Sequence, residues 1–441
     1  GESTDLAIGG DGFFIVSPKG EDKEYYTRAG NFRFDKDGYL VDPHGYVLQG
    51  WEVTETDYSQ ASSSQSTITE TTGVKTDGSV TNIRLENFQS SPEATSQVNM
   101  MLNLDSAAED KSIGTNAGES LAAMFNNWDA NASDPLGEQM YAYQNTVKVY
   151  DENGTSHDMT TYFDPVKNDA FVSNAGGKKV WEYMVTVPPG SDNRTFWDGT
   201  TAEKKGVLMT GTLEFNSAGE LTNMNAYTIN SSGGGASGPD DPSSWVNANF
   251  SQNGYPICTA NFTGTANADV TSQAQARNIS VNFGIQSSYK DPVDAWENRA
   301  SQATLDDMTS LSNADAKPEN MLGLADSELK ALATTNFSTG STTLFQSQDG
   351  YGPGDLQNIS VDREGVITGS YSNGQESELY VLQLADFNNK QGLRREGGNL
   401  FSKTNSSGED ITGKPGTNGL GTIASNSLEQ SNVDMADQFV K

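Results

Sequence analysis

Alternation of apolar and polar residues with period two dominates the chain, and the alternating runs end at short polar turns. Phe32 and Phe34 precede Asp35-Lys36-Asp37-Gly38, and Tyr39, Leu40 and Val41 follow it. Asp first and Gly fourth suits a type I turn closed by a glycine of positive φ, the chemistry of a tight hairpin. Asp42-Pro43-His44-Gly45 repeats the device, so residues 24–51 predict three short strands folded back on one another. Upstream, DLAIGGDGFFIV (5–16) reads as a further strand entered through a glycine-rich corner. Phe13, Phe14 and Phe34 are expected in the core of this region. The Asp/Asn-x-x-Gly spacing returns at 151–154, 216–219 and 362–365.

Further along, Val147 and Val149 flank Lys148. Trp181, Tyr183, Val185 and Val187 face one way, with Glu182 and Thr186 facing the other. Val207, Met209, Leu213 and Phe215 continue the theme, as do Ile279, Val281 and Phe283. The pattern predicts half-buried antiparallel strands with polar residues outward. Residues 379–387 are nearly continuously apolar and predict one strand buried on both faces.

Between these runs, residues 58–72 form a Ser/Thr-rich loop, and 98–104 alternate before a polar stretch that marks a crossing into a second domain. Residues 106–142 are irregular, with weak helical character at 121–125. The Gly/Ser/Pro composition of 231–244 predicts a flexible linker or loop tip. Helix-favouring residues at 291–335, above all 326–333, predict a small helical insertion. The last stretch, 426–441, switches to helical periodicity, with Asn426 and Glu429 spaced as a capping box. Leu428, Val433, Met435, Ala436, Phe439 and Val440 share one face with Asn432. An amphipathic helix with nothing after it to fold against calls for a partner. The start at Gly1 and the stop at Lys441 in mid-pattern suggest a piece of a longer chain.

Composition narrows the function. A length of 441 residues implies two to four domains. A hydrophobic fraction of 34% with 45 Gly suits loop-rich β domains. Lys and Arg number 27 against 59 Asp and Glu, a net charge of -32, which repels nucleic acid and anionic lipid alike. No apolar run approaches the roughly 20 residues that span a bilayer, so no membrane insertion is expected. A basic segment followed by an apolar one, as in a cleaved signal peptide, is absent. Cys258 is the one cysteine and is expected to be a buried thiol. His44 and His157 both sit at or just after turns and read as turn decoration rather than as catalytic bases. The acidic turns lack the alternating ligands and terminal Glu of a calcium loop. No catalytic, cofactor or metal site is predicted, and the chain is not expected to be an enzyme.

Two stretches carry a resemblance. DLAIGGDGFFIV (5–16) and YYTRAGNFRFDKDGYLVDPHGYVLQGW (25–51) are similar to the signature of the bacterial flagellar rod and hook axial proteins. The matching positions include Gly10, Gly12, Phe13, Phe14, Arg28, Gly30, Phe32, Asp37, Gly38, Gly45 and Gly50. DGYGPGDLQNISVDREGVITGSYSNGQ (349–375) and LADFNNKQGLRREGGNLF (384–401) again resemble the hook members. The resemblance implies a mainly β fold with a discontinuous inner domain, 1–96 plus 342–425. Outer β domain(s) at 97–290 and a helical or irregular insertion at 291–341 would interrupt it. Residues 426–441 would open a C-terminal assembly helix, with Leu428, Asn432, Val433, Met435 and Phe439 on its packing face. The long insert favours a hook subunit over a rod subunit.

By resemblance the function is mechanical. Subunits would polymerise into a flexible tube, a universal joint that transmits motor torque to the filament. Partners would be further copies of the chain, the distal rod, the hook cap, the hook–filament junction proteins and the flagellar export apparatus. The site would be extracellular, on the flagellum, reached without a cleaved signal peptide, and no cofactor is implied. The alternatives are a distal rod or other axial subunit and, more distantly, an extracellular adhesin or carbohydrate-binding β protein.

Overall fold

The computed structural model describes residues 4–53, 76–85, 88–112, 121–167, 175–194, 202–229, 238–264, 277–288, 296–297, 304–309 and 320–427. The chain forms two compact units, one made of residues 1–91 with 353–441 and the other of residues 92–352.

The first unit is built on a fourteen-stranded antiparallel sheet in which blocks of early strands lie between blocks of late ones. Phe13–Ser17 is its pivot, pairing with Tyr25–Thr27, with Val47–Val53 and with Leu384–Asp386. Every residue of that strand is buried. Phe14 and Val16 enter one cluster with Phe32, Leu48, Leu382 and Ile423. Phe13 and Ile15 enter another with Tyr26, Ala385 and Phe387. Of the aromatic residues expected in this core, Phe13 and Phe14 are buried and Phe34 is only half-buried. Phe32 lies fully inside instead, with its ring edge-on to Phe14 at 5.2 Å.

The apolar run 379–387 is not one strand. It divides at Gln383 into Glu376–Leu382, which pairs with Val47–Val53, and Leu384–Asp386, which pairs with Phe13–Ser17. The break lets the chain change neighbours while residues 380–385 stay buried. A separate two-stranded ribbon pairs Leu6–Gly9 with Thr422–Ser425.

The second unit packs a seven-stranded antiparallel sheet against a four-stranded one. The smaller sheet has one parallel pair, Arg277–Asn282 beside Gln97–Asn103. Val149, Phe163, Tyr183 and Val185 meet Val98, Met100, Cys258, Ile279 and Phe283 between the sheets. Cys258 is fully buried there. The other face of the larger sheet is also covered, by Phe125, Trp128, Trp245, Met308 and their neighbours packed on Val180, Met184 and Val207. Lys179–Thr186 and Val207–Phe215 are therefore buried on both sides. Glu182 and Thr186 point inward, not to solvent as their alternation suggests, because the short helix Ala123–Asn127 and its flanking chain lie over them.

Residues 326–333 are not helical. Ser327–Leu329 is a strand on Ile285–Ser287, and the Lys330 and Thr334 N–H groups donate to Gly284 and Phe283. Helix propensity alone does not hold a segment whose Leu329 and Leu332 are exposed, because most helical stability in proteins comes from burying a face. Within 291–341, among the described residues, the one α-helix is Leu305–Thr309. No described helix is long and apolar enough to cross a membrane.

Candidate assembly scaffold

The motif residues converge on the corner where Leu6–Gly9 turns into Phe13–Ser17. Gly10 and Gly12 have φ of 123° and 127°, a region that L side chains rarely adopt. Their carbonyls turn toward one guanidinium. Arg28 Nη1 donates to Gly10 O at 2.8 Å and Gly12 O at 2.7 Å, and Nη2 reaches Ile8 O at 3.5 Å. Gly30 sits behind this tie, its carbonyl accepting the Leu6 N–H at 2.8 Å. A Cβ at Gly30 would stand 1.7 Å from Leu6 O, so glycine is required by contact. Phe13, Phe14 and Phe32 fill the core beneath.

The other motif positions lie elsewhere in the same unit. Gly38 and Gly50 sit where the backbone meets Leu85 and Val381. Gly45 closes its turn with a φ of 86° and open space around it. Asp37 is exposed; its carbonyl accepts Arg84 Nε at 3.1 Å and its carboxylate lies 3.5 Å from Lys19 Nζ. The proposed assembly-helix residues Leu428, Asn432, Val433, Met435 and Phe439 lie outside the described residues. The chain leading to them is placed, since the Ser427 N–H donates to Asp5 O at 3.3 Å beside the terminal ribbon.

The Asp/Asn-x-x-Gly turns spend their side-chain oxygen on their own backbone. Asp35 Oδ1 accepts the N–H of Asp37 and Tyr39; Asp42 Oδ1 accepts those of His44 and Tyr46. Asp151 and Asn216 repeat the pattern, and Asp362 accepts the Val366 N–H. An oxygen already holding two N–H groups is a turn device rather than a cation ligand. Among the described residues no cluster of three potential metal ligands forms. His157 is fixed by Asp151 Oδ2 at 2.9 Å and stacks on Phe262 at 4.2 Å; His44 is half-exposed in its turn.

Two charge pairs in the second unit escape sequence reading. Asp192 and Arg194 form a fully buried fork: Nε to Oδ1 is 2.8 Å and Nη2 to Oδ2 is 2.7 Å. Burial opposes ionisation of Asp192, but the guanidinium holds its carboxyl below the usual range. The other pair is two acids. Asp164 and Glu182 stand directly opposite on neighbouring strands, both buried. Asp164 Oδ2 accepts the N–H of Lys111 and Ser112, and Glu182 Oε1 accepts the Ser112 hydroxyl at 2.5 Å and the Met124 N–H at 3.1 Å. Asp164 Oδ1 and Glu182 Oε2 have no partner among the described residues. Burial drives both acids upward, Glu182 to about 8; nearby Asp110 adds to the rise at both, and Asp164 to that at Glu182.

Comparison with known proteins places this scaffold. The model of the flagellar basal body protein FlaE D2 domain matches residues 126–351, more than half of the 441-residue chain. The model of the flagellar hook protein FlgE/F/G D1 domain matches residues 7–82, the stretch that holds the glycine corner and Arg28. The chain belongs to the flagellar hook protein FlgE family. It is a structural, non-enzymatic subunit of the flagellar hook, a part of the extracellular flagellum. It is 28% identical to the hook protein FlgE of Treponema pallidum over 443 residues, covering 100% of this chain and 74% of the relative. The Escherichia coli hook protein FlgE is 24% identical, with 100% and 75% covered. Similarity to the Helicobacter pylori hook protein FlgE is concentrated, with 42% identity over 96 residues, 22% of this chain and 13% of the relative. The crystal structure of Helicobacter pylori hook protein FlgE2 aligns over 98% of this chain and 99% of its own, with a TM-score of 0.48 and 15% identity.

Proposed function

We propose that copies of this hook subunit polymerise into a curved, flexible tube that works as a universal joint, carrying torque from the motor to the filament. In this reading the unit of residues 1–91 and 353–441 is the inner scaffold, and residues 92–352 form the outer part. The glycine corner and Arg28 fix the scaffold, and the helix face of Leu428, Asn432, Val433, Met435 and Phe439 carries assembly. The partners are further subunits, the distal rod, the hook cap, the hook–filament junction proteins and the export apparatus that delivers the chain.

The observation that carries the reading is the ribbon of Leu6–Gly9 with Thr422–Ser425, tied by Arg28 and followed directly by the amphipathic stretch. A covalently continuous, hydrogen-bonded base under a helix transmits force without unravelling. Many moderate interfaces between acidic, polar surfaces slide and switch more readily than one rigid apolar one.

Electron microscopy of cells lacking the gene tests this directly. Basal bodies that stop at the rod, with motility lost, are expected; normal hooks and filaments would overturn the reading. Replacing Leu428 or Phe439 with Lys in the full-length protein should leave the subunit folded and abolish polymerisation. Normal hooks from those variants would remove the helix face from the account.

A further inference from the structure

An asparagine followed by glycine exposes its side-chain amide to the next backbone nitrogen, because glycine has no side chain to hinder the approach. The chain has four such pairs: Asn153-Gly154, Asn253-Gly254, Asn373-Gly374 and Asn418-Gly419. The first three occupy the last two places of a four-residue turn. Gly154, Gly254 and Gly374 close those turns, their N–H groups donating to Asp151 O at 2.9 Å, Ser251 O at 2.9 Å and Tyr371 O at 3.0 Å. A nitrogen held in this way reaches its neighbour's side chain only by breaking the turn.

Asn418-Gly419 sits one place earlier in its turn. The Leu420 N–H donates to Thr417 O at 2.8 Å, so Asn418 and Gly419 are the two central residues, with φ of 52° and 81°. Positive φ at both central positions is the mark of a type I′ turn, which Asn-Gly favours. Among the described residues, neither the Gly419 N–H nor the Asn418 side-chain amide has a hydrogen-bond partner. Both residues are exposed, and a Cβ at Gly419 would meet nothing within 4 Å. The turn is nonetheless tied to the glycine corner. The Gly421 N–H donates to Asp11 O at 2.7 Å, and Leu420 is buried in the cluster that holds Ile8 and Phe14.

We infer that Asn418 is a site of spontaneous deamidation and that its conversion loosens the glycine corner. The Gly419 nitrogen attacks Asn418 Cγ. The N–Cγ bond forms, the Cγ–Nδ2 bond breaks, and Nδ2 leaves as ammonia with the proton that the glycine nitrogen gives up. Water then opens the five-membered imide at either carbonyl. The products are aspartate and, with the backbone rerouted through the side chain, isoaspartate. Attack requires the 418–419 peptide to rotate out of its left-handed setting, and no hydrogen bond to the Gly419 N–H resists that rotation. The reaction needs no enzyme or cofactor and does not depend on polymerisation. Isoaspartate places one extra backbone atom between Thr417 and Leu420, which disturbs the bond closing the turn and the Gly421 tie to Asp11.

The test ages the full chain at mildly alkaline pH and maps its peptides by mass. Deamidation raises a peptide's mass by about 1 Da, and an isoaspartyl methyltransferase with a labelled methyl donor marks the isoaspartate. Asn418 should convert about tenfold or more faster than Asn153, Asn253 and Asn373, the factor that breaking one hydrogen bond of about 1.4 kcal/mol implies. In urea, where every turn is lost, the four rates should converge. Asn418→Gln, whose longer side chain would need a six-membered ring, should lose the signal at 418. Anion exchange separates the converted chain by its added negative charge. That fraction should melt at lower temperature and exchange the Gly421 amide hydrogen faster. Equal rates at the four asparagines of the folded chain, or slower conversion at Asn418, would overturn the inference. Unchanged melting and exchange in the converted fraction would overturn the effect on the corner.

Discussion

Arg28 shows what a single side chain contributes to this scaffold. It gathers carbonyls from Gly10 and Gly12, and no neutral side chain of similar size replaces two charge-assisted donors. Arg28→Met should destabilise the unit by about 3 kcal/mol in urea denaturation, and Arg28→Lys should recover only part of that, since an ammonium lacks the planar fork. Full stability of the Met variant would demote the tie to decoration. Gly30→Ala is the harsher change. Its Cβ would meet Leu6 O, a backbone atom with no rotamer to escape into, so loss of cooperative melting is expected. Phe14→Ala should cost roughly 3–5 kcal/mol, and Phe34→Ala clearly less because that ring is half-exposed. At this scale the turns were legible because their chemistry is local: an Asp oxygen reaching the second and fourth N–H ahead needs no distant partner. The role of Arg28 was legible only as a matching position, since the carbonyls it binds lie 16 and 18 residues away.

Among the elements, strand 179–186 teaches most. Alternation located its inward face correctly and misplaced Glu182, because period two says nothing of what covers the second face. The cover comes from residues 121–128 and from Leu305, Met308, Met321 and Leu322, short stretches with little periodic signal. Likewise the split at Gln383 follows from a change of neighbour, which no one-dimensional pattern encodes. The buried acids give this element a pH response. Both folded carboxyls titrate above their unfolded values of about 4. Their contribution is therefore full below about pH 4, declines as the unfolded chain releases protons that the folded chain keeps, and is gone once pH passes the Glu182 value of about 8. The thermal midpoint of the 92–352 unit should fall between pH 5 and pH 8. Glu182→Gln, which keeps an acceptor for Ser112 and Met124, should flatten that slope. An unchanged slope would show that the acids titrate normally.

At the scale of the whole molecule, the organising fact is that one unit interrupts the other in sequence while each closes on itself in space. Glu93 and Tyr351 exchange N–H···O bonds at 2.9 Å, which fastens the two ends of the 92–352 unit together. In the other unit Ser90 and Gln89 pair with Gly354 and Asp355. Ends held side by side are what allow a domain to be inserted without strain in its host. Residues 92–352 expressed alone should therefore melt cooperatively, and residues 1–91 joined to 353–441 through a short Gly-Ser linker should do the same. The sequence pointed to this interruption through the likeness of 349–401 to the style of the first fifty residues, whereas the crossing points depend on pairings more than 250 residues apart. Circular dichroism and analytical ultracentrifugation of the two pieces decide the matter. If either aggregates or melts without a transition, the units depend on each other for folding, and a flexible joint would then have to bend at subunit interfaces alone.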